Sequence, residues 1–218
     1  MSYLVKGLAG AAGCSGVCGG YFAVKHLSSG EEDSRSTVRS LLIGSGRTVL
    51  TKESDSDQWQ ERWKEYVAAS GNPMGIEGYA THSSNQNNVP EVFKEKCLSQ
   101  LDEKVSGVED KLFKDLSTWC VKMTAVSELI NADGKREKLN ETQGDDEGWK
   151  ASWKDYIDNS KDNSWSINNW NDAKTKPDTV PPDFKTKCTS KLAEKAFGVM
   201  DIKFANVVSW CTKVKSGG

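Results

Sequence analysis

Apolar residues recur at helical spacing in three blocks of this chain, and each block occurs twice. Trp59, Trp63, Tyr66 and Val67 fall at i, i+4, i+7 and i+8, one face of a helix, with Ser56 or Asp57 able to cap its start. Trp149, Trp153, Tyr156 and Ile157 repeat that face. Farther on, Phe93, Cys97, Leu101 and Val105 recur every four residues behind Pro90, a residue suited to a first helical turn. Gly107 breaks the run, and Leu112, Phe113, Leu116, Trp119, Cys120 and Met123 make a second stripe, so the pair reads as an αα-hairpin. A fainter match sets Leu41, Leu42 and Gly46 beside Leu129, Ile130 and Gly134. No alternating pattern of useful length predicts strands. The expected fold class is all-α: two tandem helical repeat units, each a helix, a loop and an αα-hairpin, behind an N-terminal apolar helix.

The duplication is the strongest signal. Laid without a gap over Val180–Lys213, the segment Val89–Lys122 is identical at 17 of 34 positions. The matches include Pro90/Pro181, Phe93/Phe184, Cys97/Cys188, Gly107/Gly198, Trp119/Trp210 and Cys120/Cys211. Between the blocks, residues 68–88 and 158–179 are polar and scarcely alike. The expected division is a Gly-rich membrane segment at 1–27, a polar linker at 28–36, repeat 1 at 37–124 and repeat 2 at 125–218.

Residues 7–24, GLAGAAGCSGVCGGYFAV, carry no charge. As a helix they would span about 27 Å, close to a bilayer core of about 30 Å. Glycines at 7, 10, 13, 16 and 19 suit close packing in a membrane but weaken both helicity and hydrophobicity. A membrane anchor is the leading reading; a cleaved signal peptide, a lipoprotein signal acylated at Cys14 and a soluble glycine-rich tail are the others. Each of the first three takes the globular part out of the cytosol. Lys6 before the span and Glu31, Glu32 and Asp33 after it favour an inside N-terminus and an outside C-terminus.

Charge changes the picture by exclusion. The net charge of -2 and the absence of a dense basic run argue against nucleic acid as a partner. The only histidines are His26 and His82, neither repeated, so triads built on His have little to draw on. No phosphate loop, dinucleotide motif or HExxH occurs; no catalytic residue, cofactor or metal site is expected. The tryptophans on helix faces read as core rather than as a carbohydrate or haem platform. Trp165 and Trp170 lie in a polar loop without evident counterparts in repeat 1, either as contact anchors or folded back on the core.

Cys97 and Cys120 are separated by 23 residues, as are Cys188 and Cys211. Around a glycine turn this spacing sets each pair level across its hairpin, open to a disulfide or to two buried thiols packed as small hydrophobes. The staple is the expectation, with both bonds inside their own repeat. A zinc site lacks ligands, since neither repeat has CxxC or a nearby His.

With Leu41-Leu42…Leu50, Trp59…Trp63…Tyr66 and Phe93…Cys97…Trp119-Cys120 in view, the chain resembles the large paralogous families of short proteins in haemotropic mycoplasmas. Members open with a weakly apolar Gly/Ala-rich segment and a polar linker. Many carry one such unit, whereas this chain carries two. The resemblance implies surface exposure, contact with host-cell surface molecules and antigenic variability. The functional expectation is a membrane-anchored, externally displayed interaction or antigenic surface protein, not an enzyme. The alternatives are an intracellular structural helical-repeat protein and, last, a hydrolase using inter-repeat carboxylates.

Overall fold

Both copies of the repeated sequence fold through the same succession of α-helices. The computed structural model describes residues 34–54, 56–141 and 144–215. The first copy runs β1 (Ser36–Thr37), α1 (Val38–Gly44), α2 (Ser56–Ala68), α3 (Tyr79–His82), α4 (Glu91–Ser99), β2 (Lys104–Val105) and α5 (Lys111–Trp119). The second runs β3 (Thr124–Ala125), α6 (Val126–Asp133), β4 (Arg136–Lys138), α7 (Asp146–Asn159), α8 (Trp170–Ala173), α9 (Pro182–Ala193), β5 (Lys195–Ala196), α10 (Ile202–Cys211) and β6 (Thr212–Val214). The segment 7–24, read as a membrane helix, lies outside the described residues. Among the described residues no helix is long and apolar enough to cross a membrane.

The fold is mostly helical, but the expectation of a purely all-α chain is corrected by three short antiparallel pairings. β1 pairs with β2, Ser36 opposite Val105, and β3 pairs with β5, Thr124 opposite Ala196. The entry into each repeat therefore binds the connection that follows the first hairpin helix. The same pairing ends α4 earlier than the four-residue run through Val105 predicts. Leu101 and Val105 are buried, yet both lie past the helix end. The Leu101 and Glu103 carbonyls accept from Arg39 N at 2.8 Å and Val38 N at 3.0 Å. These are first-turn N–H groups of α1, which have no partner inside their own helix. In the second copy Val126 N donates to Glu194 O at 2.9 Å. The third pairing, β4 with β6, sets Lys138 opposite Thr212 and is reduced in the first copy to a single bridge between Val49 and Val121.

From Arg35 onward the described residues form one compact unit with two separate cores, one per repeat. Trp59, Trp63, Tyr66 and Phe93 make the centre of one; Trp149, Trp153, Tyr156 and Phe184 make the other. Trp63 stacks on Tyr66 with ring centroids 5.7 Å apart, and Trp153 on Tyr156 at the same distance. Asp110 caps α5 by accepting from Leu112 N, and Asp201 caps α10 by accepting from Lys203 N, each satisfying a free donor of the first turn.

Candidate functional site

The cysteine pairs join within their own repeats. Cys97 bonds Cys120 and Cys188 bonds Cys211, with Cα atoms 5.5 Å apart in both cases, inside the range a disulfide requires. All four are buried. The bond ties α4 to the C-terminal end of α5, and α9 to that of α10, so each hairpin is closed at the core. Next to the staple, Leu50 N donates to Cys120 O and Leu139 N to Cys211 O.

These hairpins hold a loop whose likeness barely shows in residue identities. Extending the gapless hairpin alignment back to Gly71 sets it over Asp162. Four positions then share a left-handed backbone: Gly71/Asp162, Asn72/Asn163, Gly75/Ser166 and Gly78/Asn169. Asn72 Oδ1 accepts from Ile76 N and from Tyr66 Oη, while Tyr66 Oη accepts from Met74 N at 2.9 Å. Asn163, Ile167, Tyr156 and Trp165 repeat every bond of that set. The expectation that 68–88 and 158–179 differ is therefore corrected. The surviving sequence signal is short: Asn-x-Met-x-Ile against Asn-x-Trp-x-Ile, with an aromatic residue three positions later.

Both loop tryptophans find counterparts, which corrects their reading as additions unique to the second repeat. Trp165 replaces Met74 and is not a surface anchor: it is 7% exposed and packs edge-on to Trp210 with centroids 4.8 Å apart. Alternation along a short turn sends it inward, as it does Met74. Trp170 replaces Tyr79 and is half-buried. It meets Trp153 and Tyr156 at right angles, with centroids at 6.0 and 5.7 Å, as Tyr79 meets Trp63 and Tyr66. Around it Asn169, Asn171 and Asp172 are exposed, and the four residues line an open hollow of about 500 Å³. A second hollow, of about 320 Å³, lies in the first repeat between Pro73, Met74, Lys96 and Lys111. There Lys111 is already engaged, 2.6 Å from Asp115 and 3.1 Å from Pro73 O.

The repeats meet at a seam whose apolar members, Phe197 and Met200, differ from their counterparts in the first copy, whereas Lys195 matches Lys104. The Arg47 guanidinium lies 3.9 Å from the Phe197 ring centroid; Phe197 stands where the first repeat has Ser106. Burial draws the Arg47 pKa down from the ordinary arginine value, with Asp201 pulling it back. Met200, in place of Glu109, lies so close to Gly46 that a Cβ there would come within 2.6 Å of its sulfur. Lys195 Nζ meets Glu61 Oε1 at 2.8 Å, and Arg62, buried beside it, binds Glu65 at 2.8 Å. Glu61, one of the carboxylates at the seam, is thus ion-paired. Outside the seam, the Lys213 ammonium, first, and Asn140 N–H hold the Asp145 carboxyl below the usual range; the same partner raises Lys213. Among the described residues no group of three or more His, Cys, Asp or Glu is arranged to hold a metal ion.

No protein-family model, curated protein or solved structure matches the chain.

Proposed function

We propose that the chain is an interaction protein displayed outside the cytosol on a membrane tether, with the two stapled repeats as its exposed part. One observation carries this reading: a buried disulfide at the same place in both repeats. Disulfides persist in oxidising compartments and are rare where thiols are kept reduced. The uncharged segment 7–24 is the expected anchor and 28–36 the expected linker. A second support is the contrast between a constant backbone and divergent loop side chains. Rigid scaffolds with variable loops suit recognition, since contacts with partners concentrate on loops held in place from below. The resemblance to haemotropic mycoplasma families points to host-cell surface molecules as partners.

Protease treatment of intact cells, followed by mass mapping, tests the display. The region 30–218 should be removed, and alkylation before reduction should leave Cys97, Cys120, Cys188 and Cys211 unmodified. Full protection of that region, or four alkylated thiols, would overturn the reading.

A further inference from the structure

We infer that the α8 loop of the second repeat binds a pyranose ring of a glycan, with Trp170 as the stacking platform and Asn169 and Asn171 as its hydrogen-bonding flanks. This names a partner class for the interaction role proposed above and rests on that role for its setting. Gly78-Tyr79-Ala80-Thr81 of the first repeat becomes Asn169-Trp170-Asn171-Asp172 in the second, on the same backbone. Gly78 has φ 63°, a conformation that glycine adopts freely and side chains resist; Asn169 holds φ 52°. Asparagine is among the few side-chain-bearing residues that accept this conformation, so the turn can carry an amide here without losing its shape.

Among the described residues no side chain or backbone group uses these amides. Neither Asn169 nor Asn171 has a side-chain hydrogen-bond partner among the described residues, and neither does Trp170 Nε1. Asp172 is partly committed, its carboxylate 2.8 Å from Lys176 Nζ. What remains open is an aromatic ring, two neutral amides and an indole N–H around a hollow of about 500 Å³. The ring is fixed in orientation by its right-angle contacts with Trp153 and Tyr156, so little ordering is needed on binding.

This set selects an uncharged, hydroxyl-rich ligand. A phosphate or an acidic peptide needs a cluster of cations, whereas here the one ammonium placed on the ring is Lys174 Nζ, 5.8 Å over its centroid on an exposed side chain, which must swing aside for a sugar to stack there. A pyranose has a C–H face that packs on the negative face of an indole. Its rim of hydroxyls donates and accepts, and amides, with one acceptor and two donors, match both. A few placed polar groups around an apolar surface is the usual composition of a small-ligand site.

Saturation-transfer NMR tests this on the full chain in a non-glycosidic detergent. The probes are the methyl pyranosides of galactose, glucose, mannose and N-acetylglucosamine, with glycerol as control. At least one pyranoside should bind saturably while glycerol does not. Asn171→Ala should weaken it about fivefold, the value of one uncharged hydrogen bond, and Trp170→Ala about tenfold or more. Trp170→Tyr, which restores the first repeat's residue, should keep the fold and weaken binding. Absence of binding by all four pyranosides overturns the proposal. So does unchanged affinity in Asn171→Ala, whose exposed side chain leaves the fold intact. Binding that persists while shaving of cells fails would sustain this site and remove only its external setting.

Discussion

The loop at residues 71–82 and the loop at 162–173 trace one backbone with different side chains. In each, a buried tyrosine hydroxyl and an asparagine side chain stand in for regular secondary structure, satisfying donors that would otherwise be lost in the interior. Whatever keeps that hydrogen-bond hub keeps the shape. Positions that face the core then changed in size, Met74 to Trp165, and positions that face outward changed in chemistry, Gly78 to Asn169 and Ala80 to Asn171. The first copy shows what the scaffold needs; the second shows what it can be made to carry.

The largest test of this comparison is core size. Trp165→Ala should cost the second repeat about 3–5 kcal/mol, against about 2–5 kcal/mol for Met74→Ala in the first, because truncation leaves a cavity as well as lost burial. Since the cores are separate, urea unfolding followed by near-UV dichroism should split into two transitions with only the altered repeat shifted. A single shifted transition would mean that the repeats unfold as one. Removing a staple comes next. Replacing Cys97 and Cys120 by Ala, or Cys188 and Cys211, should destabilise its own repeat by about 2–5 kcal/mol. The equal separation of 23 residues predicts equal losses; inequality would place a difference in the reduced states.

Tyr66→Phe and Tyr156→Phe sharpen the hub. Each strands the N–H of Met74 or Trp165 and one asparagine acceptor, for a loss of about 1–3 kcal/mol. Matched losses from thermal melts are expected, and a loss confined to one copy would refute the equivalence of the loops. At the seam, Phe197→Ser restores the first repeat's residue and removes the guanidinium–ring contact, worth about 0.5–2 kcal/mol. The transitions of the two repeats should separate further; no change in their spacing would show that the seam does not couple them.

The smallest effect is electrostatic. The Asp145 carboxyl titrates below its ordinary value because of Lys213 and Asn140 N–H. A depressed carboxylate stabilises above its unfolded value, near pH 3.9, and that stabilisation is lost as pH falls through the folded one. Asp145→Asn should therefore lower second-repeat stability at neutral pH, with the gap to wild type closing in acid. Lys213, raised by the same contact, contributes below its unfolded value and loses that as pH rises past the folded one. A gap that stays constant from neutral to acid pH would assign the loss to packing instead.

Sequence alone determined the duplication, the buried helix faces at Trp59, Trp63 and Tyr66, and which cysteines lie level across each hairpin, though not that they are bonded. These are local or periodic facts: a face repeats every turn, and a hairpin with a fixed spacing sets two residues level. The two-residue strands left no such mark, because pairings such as Ser36 with Val105 are made by chain entry and docking, with no alternation long enough to read. Loop likeness was hidden for another reason. It is held by φ angles at Gly71/Asp162 and Gly75/Ser166 and by bonds to a distant tyrosine, which several residue types can supply. The fates of Trp165 and Trp170 rested on tertiary structure entirely. Five residues apart in one polar stretch, they look equivalent in sequence; only the turn that the Asn163–Tyr156 bond fixes sends the first into the core and leaves the second half outside.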